Sequence, residues 1–150
     1  MGLFSNLRAG KVAVNHKEQI ARAVLTIPVL TAAADGQIDD IEGFQLTSMA
    51  AFNPSLVELG GATFQRLIGE IARDIQARGF EPVFHDAAPH LQAEAAHTAI
   101  AFAVRIAMAD GVLDDAEKKI LVFMMDKLNI SDDAFVQILN TMRIMQARFA

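Results

Sequence analysis

Two short acidic segments carry the residues whose types and spacing could do chemistry. Residues 34–42 read Ala-Asp-Gly-Gln-Ile-Asp-Asp-Ile-Glu, and residues 109–117 read Ala-Asp-Gly-Val-Leu-Asp-Asp-Ala-Glu. We call these segments the first elbow and the second elbow. Carboxylate oxygens are the ligands that hard divalent cations such as calcium, magnesium and manganese prefer. A divalent-cation site at each elbow is therefore one interpretation of the pattern.

The spacing of the elbow acids matches the second half of an EF-hand calcium loop. In the second half of this twelve-residue loop, positions five, six, eight, nine and twelve hold ligands or residues that determine the shape of the loop. The matching residues are Asp35, Gly36, Ile38, Asp39 and Glu42 in the first elbow, and Asp110, Gly111, Leu113, Asp114 and Glu117 in the second. No acid stands at positions one and three, which hold Thr31 and Ala33, then Ile106 and Met108. We therefore expect each elbow to bind a cation more weakly than a full loop, with water completing the shell.

Helix capping is the alternative interpretation of the same residues. Asp39 and Asp114 are good N-caps, and Glu42 and Glu117 three residues later complete an aspartate version of the capping box. Glycine at the preceding turn can end a helix in the left-handed conformation. Asp35 and the equivalent Asp110 fit capping less well, because a carboxylate at a helix C-terminus costs roughly 0.3–1 kcal/mol.

An internal repeat relates the two elbows. Residues 29–49 align with residues 104–124 at a constant offset of 75, and ten of those 21 positions are identical. An apolar helical pattern precedes each elbow and an amphipathic one follows it. We predict one domain over residues 1–150, built from two related halves at about 18–79 and 90–148 with a connector at 80–89, and packed about a pseudo-twofold axis.

Every long segment has helical periodicity, so the predicted fold class is all-α, a single bundle. No alternating β-branched run is long enough to form a strand. Asn53-Pro54 is a helix start, Gly79 a helix end and Ser131 an N-cap. Pro28 should kink or divide the first helix. The predicted helices cover 18–34, 40–52, 62–78 and about 90–109, 114–128 and 131–148.

Composition excludes several classes of protein. The chain has 150 residues, 53% of them apolar, no cysteine and a net charge of −5. A single domain with a self-sufficient core is expected, without disulfides or thiolate metal sites. The acidic balance argues against nucleic-acid binding. The longest apolar run, 99–109, is too short to span a bilayer and residues 1–11 do not form a secretory signal, so we expect a cytoplasmic protein.

Two other clusters are weaker candidates for function. Glu94 and His97 have the Glu-x-x-His spacing of di-iron bundles, with His85 and His90 nearby. A di-iron centre needs that pair twice and a structural zinc takes four ligands, so surface residues are the preferred interpretation over an enzymatic metal centre. An apolar set in the last two helices is predicted to fill the core rather than bind a partner: Phe123, Met124, Met125, Phe135, Met142, Met145 and Phe149.

The paired elbows in an all-helical acidic chain resemble the TerB-like domain family of tellurite-resistance proteins. The second half is the closer likeness, with Ala109-Asp110-Gly111, Asp114-Asp115-Ala116-Glu117-Lys118 and then Asn129-Ile130. The resemblance implies about seven helices in a pseudo-symmetric duplicate and no enzymatic activity. It also implies metal binding through the elbow acids, which by position are Asp35, Asp39, Asp40, Glu42, Asp110, Asp114, Asp115 and Glu117.

The resemblance further implies a role in tellurite or stress resistance beside a membrane protein of the same system. The hypothesis is thus a non-enzymatic module that engages a divalent cation, a protein partner or both through its elbows. Through such a partner the protein could lie at the periphery of the inner membrane. The alternative is a helical interaction scaffold whose elbows only cap helices.

Overall fold

The computed structural model describes the backbone of residues 2–35, 40–109 and 113–149, and the side chains of 16–34, 45–109 and 113–149. Within those ranges the chain forms eight α-helices, two short 3-10 turns and no strand, which confirms the all-α prediction. The elements are α1 (Gly2–Ala32), a 3-10 turn (Ala33–Asp35), α2 (Asp40–Phe52), α3 (Pro54–Leu59), α4 (Gly61–Arg78), α5 (Phe80–Ala87), a 3-10 turn (Ala88–His90), α6 (Glu94–Ala107), α7 (Asp115–Lys127) and α8 (Asp132–Met145).

Local sequence signals set several helix ends as predicted. Asn53 caps α3, because its Oδ1 accepts hydrogen bonds from the backbone N–H groups of Ser55 at 3.0 Å and Leu56 at 3.2 Å. Ser131 caps α8 by accepting from the N–H of Ala134 at 3.1 Å. Gly79 ends α4 with φ of 83°, a conformation that favours glycine. These signals act within one helical turn, which is why the sequence reveals them.

The first helix starts earlier than predicted and is not divided at its proline. α1 begins at Gly2 and continues through Pro28, which does not divide it. An interior proline removes one helical hydrogen bond and costs about 3 kcal/mol. Leu25, Ile27 and Val29 surround it with no exposed surface, and each buried aliphatic side chain contributes about 1.5–3 kcal/mol. Packing on the core therefore outweighs the local preference.

Residues 80–89, predicted as a connector, are helical. They form α5 and the 3-10 turn that follows it. Pro82 is the third residue of α5, in the first turn, where a backbone N–H has no helical acceptor, so proline is tolerated there. Val83, Phe84 and Ala87 are buried. The sequence pattern assigns no helix to this segment, which belongs to the core.

The core is centred on α1 and α6, which pack against each other more extensively than any other described pair of helices. The face of α6 toward the core is lined by small residues at helical spacing: Ala96, Ala99, Ala103 and Ala107, all 3% exposed or less. Small side chains let two helix axes approach closely. α4 and α5 then pack on α1, while α2, α7 and α8 pack on α6.

The repeat extends from the sequence to helix boundaries and burial. α1 ends at Ala32 and α6 ends 75 residues later at Ala107, and α2 and α7 have 13 residues each with both ends at the same offset. Four identical pairs outside the elbows are buried in both copies: Val29 and Val104, Ala32 and Ala107, Leu46 and Leu121, Met49 and Met124. The two halves thus use equivalent positions for their cores, and the pseudo-twofold relation between them stays a prediction.

Ion pairs join α1 to α4 and α4 to α5. Arg66 bonds Glu18 and, at 3.1 Å, Glu70, and Glu70 also accepts from Arg22 at 2.6 Å. The hydrogen bond from Arg66, followed by that from Arg22, lowers the pKa of Glu70 below its ordinary value. Arg78 bonds both Asp74, at 2.7 Å, and Asp86, and its hydrogen bond likewise lowers the pKa of Asp74.

These depressed pKa values predict a loss of stability in acid. A carboxyl group whose folded-state pKa lies below its unfolded value stabilises the fold above the unfolded pKa, and that contribution disappears as pH falls through the folded pKa. For Glu70 and Asp74 the decline begins near the ordinary values of 4.5 and 3.8 and continues below them. Urea unfolding at about pH 5 and about pH 3 should therefore show a falling midpoint.

The double variant Arg66→Gln, Arg78→Gln provides the matched comparison for this prediction. Without the two guanidinium groups the carboxyl pKa values return toward their unfolded values, so the variant should lose less stability than wild type between those two pH values. An equal loss in both proteins would show that these pairs do not produce the pH dependence.

Candidate functional site

The first elbow is described at its two ends. Asp35 closes the 3-10 turn after α1, and Asp40 and Glu42 belong to the first turn of α2. Asp39 lies outside the described residues, as do Gly36 and Ile38. The placement of the carboxyl groups in this elbow is likewise outside the described part, so this ligand set stays a prediction.

The second elbow is described from Leu113 onward, and Asp110 lies outside the described residues. Asp114 is the N-cap of α7, as predicted, and its Oδ1 accepts a hydrogen bond from the Glu117 N–H at 2.8 Å. Asp115 begins the helix with its side chain exposed. Leu113 is half-buried against the core.

Glu117 is the unusual residue of the second elbow because it is buried, with 8% of its surface exposed. Glutamate is rarely found in that environment. Hydrogen bonds from the Glu117 N–H and then from the Glu117 side chain lower the pKa of Asp114 below its ordinary value, with a smaller contribution from the Ala116 N–H. Two neighbouring carboxylates repel each other, and a nearby cation would offset that repulsion.

Longer-range contacts bring the surroundings of the two elbows together. The 3-10 turn Ala33–Asp35 lies at the start of the first elbow. It packs against α7, whose first residues belong to the second elbow. Arg105 in the last turn of α6 donates to Gln45 Oε1 at 2.6 Å and to Ser48 Oγ at 3.2 Å, both on α2. Each elbow is thus linked to an element of the other half.

Gln146 is a residue that sequence reasoning missed. Its Nε2 donates to the carbonyl of Met108 at 2.7 Å and so fastens the end of α8 to the start of the second elbow. A single glutamine just after a helix carries no motif, and its partner is 38 positions away. Lys118 and Lys119 are exposed on α7.

The histidine cluster is not brought together as a site. His85, His90, Glu94 and His97 are all exposed. Nδ1 of His97 lies 2.9 Å from the carbonyl of Ala93, and the ring of His85 lies 5.9 Å from that of Phe84. Over the described ranges, no three His, Asp or Glu side chains are grouped as metal ligands.

The methionine and phenylalanine set divides between core and surface. Met124 and Met125 are buried, and Phe123, Phe135 and Met142 pack half-buried against the core, which agrees with the prediction of core filling. Met145 and Phe149 depart from it, with 57% and 99% of their surfaces exposed. These two residues lie at and just after the end of α8.

Comparisons with known proteins identify one family. The family model described as tellurite resistance protein TerB matches residues 19–140, from the middle of α1 into α8. No curated protein and no solved structure matches the chain. Of the helices whose residues the structure describes, none combines the length and apolar character needed to cross a membrane.

Proposed function

The chain belongs to the TerB family of tellurite resistance proteins, and from this premise we propose that it is a non-enzymatic module of tellurite or stress resistance that binds a divalent cation through its elbows. The proposed ligands are the acids of the two elbows: Asp35, Asp39, Asp40 and Glu42 in the first, and Asp110, Asp114, Asp115 and Glu117 in the second. Calcium, magnesium and manganese suit such oxygen ligands.

One observation carries the proposal: the Glu117 side chain is buried, with 8% of its surface exposed, close to the Asp114 cap of α7. The Asp114 side chain caps the helix by accepting from the Glu117 N–H. A capping box accounts for a glutamate at position 117, but it does not account for the burial of that glutamate next to a second acid. A cation offsets the repulsion of two adjacent carboxylates without needing a proton, and exposed Asp115 is one position away. Water would supply the remaining ligands, so affinity should be modest.

Replacing each capping aspartate by serine separates a ligand from a cap. Serine caps a helix about as well as aspartate but has no carboxylate. In wild type, calcium titration followed by 15N NMR should shift signals near 35–42 and 110–117. The double variant Asp39→Ser, Asp114→Ser should lose those shifts while its urea midpoint changes little.

The matched control removes acids of the same type elsewhere. Asp132 and Asp133 lie exposed in the first turn of α8, outside both elbows. The variant Asp132→Ser, Asp133→Ser should keep the calcium shifts of wild type. If wild type shows no shift at several millimolar calcium or manganese, the elbows are capped turns, and the helical interaction scaffold becomes the better interpretation of the family fold.

A protein partner belongs to the same proposal. The acidic elbows could present a cation or their own charge to a membrane protein of the same resistance system. The protein would then be cytoplasmic and peripheral to the inner membrane through that partner. Family membership is the support for this assignment.

A further inference from the structure

A groove of about 690 Å³ lies between α1, α3 and the start of α6. Its volume falls in the range of sites that bind small molecules or short peptide segments. Its apolar lining consists of buried or half-buried residues from all three helices: Ile20, Ala21, Val24, Leu56, Leu59 and Ala95. We call this feature the acidic groove because of the charges around it.

The charges lining the groove are mostly negative. Glu18, Glu58 and Glu94 face a single lysine, Lys17. Glu18 is paired with Arg66, whereas Glu58 and Glu94 are exposed. An apolar lining with acidic edges is complementary to a segment that is apolar and positively charged.

The end of the described chain has that complementary chemistry. Residues 143–149, the basic tail, read Arg-Ile-Met-Gln-Ala-Arg-Phe and contain two arginines and no acid. Ile144 is 76% exposed and Phe149 is 99% exposed. Large apolar side chains exposed to this degree in one short segment are typical of an interaction surface.

The basic tail cannot reach the acidic groove of its own chain. Gln146 fixes the tail to the carbonyl of Met108, just beyond the end of α6, whereas Glu94 and Ala95 in the groove are at the start of α6. Fourteen helical residues span about 21 Å. The three residues from Gln146 to Phe149 extend at most about 11 Å. The tail of one chain therefore cannot occupy the groove of the same chain.

We propose that the basic tail of one copy docks in the acidic groove of a second copy. Phe149 and Ile144 would cover the apolar lining, and Arg143 and Arg148 would lie beside Glu58 and Glu94. Because the two surfaces differ, the contact is head-to-tail, and a pair of copies keeps one free groove and one free tail. The copies then build a ring or an open chain. This association uses neither elbow and does not depend on cation binding.

Two charge-reversal variants test the arrangement. The groove variant is Glu58→Lys, Glu94→Lys, and the tail variant is Arg143→Glu, Arg148→Glu. All four side chains are exposed, so folding should be preserved, which circular dichroism would check. In analytical ultracentrifugation, wild type should exceed its chain mass of 16.3 kDa as concentration rises, and each variant alone should remain a monomer.

The mixture of the two variants is the decisive measurement. The tail variant retains an intact groove and the groove variant retains an intact tail, and the lysine groove is also complementary in charge to the glutamate tail. An equimolar mixture should therefore associate although neither variant does so alone. With 15N-labelled tail variant in that mixture, the NMR signals of Ala21, Leu56 and Ala95 should shift. Phe149→Ser should weaken wild-type association at least about tenfold, and salt should weaken it further.

A charge reversal outside the groove is the matched control. Glu81→Lys reverses an exposed acid in the first turn of α5, as Glu94→Lys does in α6, and should leave association unchanged. The proposal is overturned if wild type stays a monomer at all concentrations, because the groove then has another occupant. It is also overturned if either variant alone associates as wild type does, or if the mixture stays monomeric.

Discussion

Replacing Phe84 with alanine should lower the free energy of unfolding by about 3–5 kcal/mol. The Phe84 side chain has no exposed surface. Its ring centroid lies 6.1 Å from that of Phe80 and 5.6 Å from that of Phe123, so it joins α5 to α7. Truncation leaves a cavity and removes aromatic contacts from both neighbours. Urea denaturation at neutral pH would measure the change.

Phe52→Ala is the matched control for that substitution. Phe52 ends α2 and is 70% exposed, so its truncation should change stability by no more than about 0.5 kcal/mol. If Phe84→Ala has as small an effect as the control, residues 80–89 are a dispensable connector and the described packing of α5 is wrong.

Enlarging Ala103 to leucine should lower the free energy of unfolding by about 1–3 kcal/mol. Ala103 has no exposed surface on the face of α6 that packs in the core. Three added carbon atoms would force side chains from their rotamers or separate α6 from its neighbours. Substitution to glycine would not test this mechanism, because glycine changes helix propensity as well.

Ala116→Leu makes the same chemical change on a surface. Ala116 is exposed in the first turn of α7, where leucine meets no packed neighbour. We expect its unfolding midpoint in urea to stay close to that of wild type. If Ala103→Leu and Ala116→Leu have equal urea midpoints, the α6 interface has room for a large side chain, and the packing of Ala103 is looser than described.

The parts of the fold that depend on neighbouring residues could be predicted from the sequence. Asn53, Asp114 and Ser131 cap helices because their side chains reach an N–H two or three positions later. Distant packing decides where the helices depart from the sequence pattern. Pro28 does not divide α1, because burial around it outweighs a proline's local preference. Residues 80–89, predicted as a connector, are helical, and Val83, Phe84 and Ala87 are buried there.

The candidate site also combines a feature that the sequence reveals with features that it does not. The sequence identifies Asp114 as a cap, since capping follows from a local pattern. It does not reveal that Glu117 is buried, because the alternation of polar and apolar residues places a glutamate on the outside. The bond from Gln146 to Met108 and that from Arg105 to Gln45 join residues 38 and 60 positions apart. Such pairs leave no signature in one sequence.

The pairing of α1 with α6 has a consequence for how the chain acquires its structure. The last residue of α1 and the first of α6 are 62 positions apart, and four α-helices and two 3-10 turns come between them. A loop of that length must close before the central contact forms, and non-local contacts slow folding relative to bundles of sequential neighbours. During synthesis, α1 is therefore made well before α6. The apolar face of α1 has no main packing partner until α6 has been synthesised.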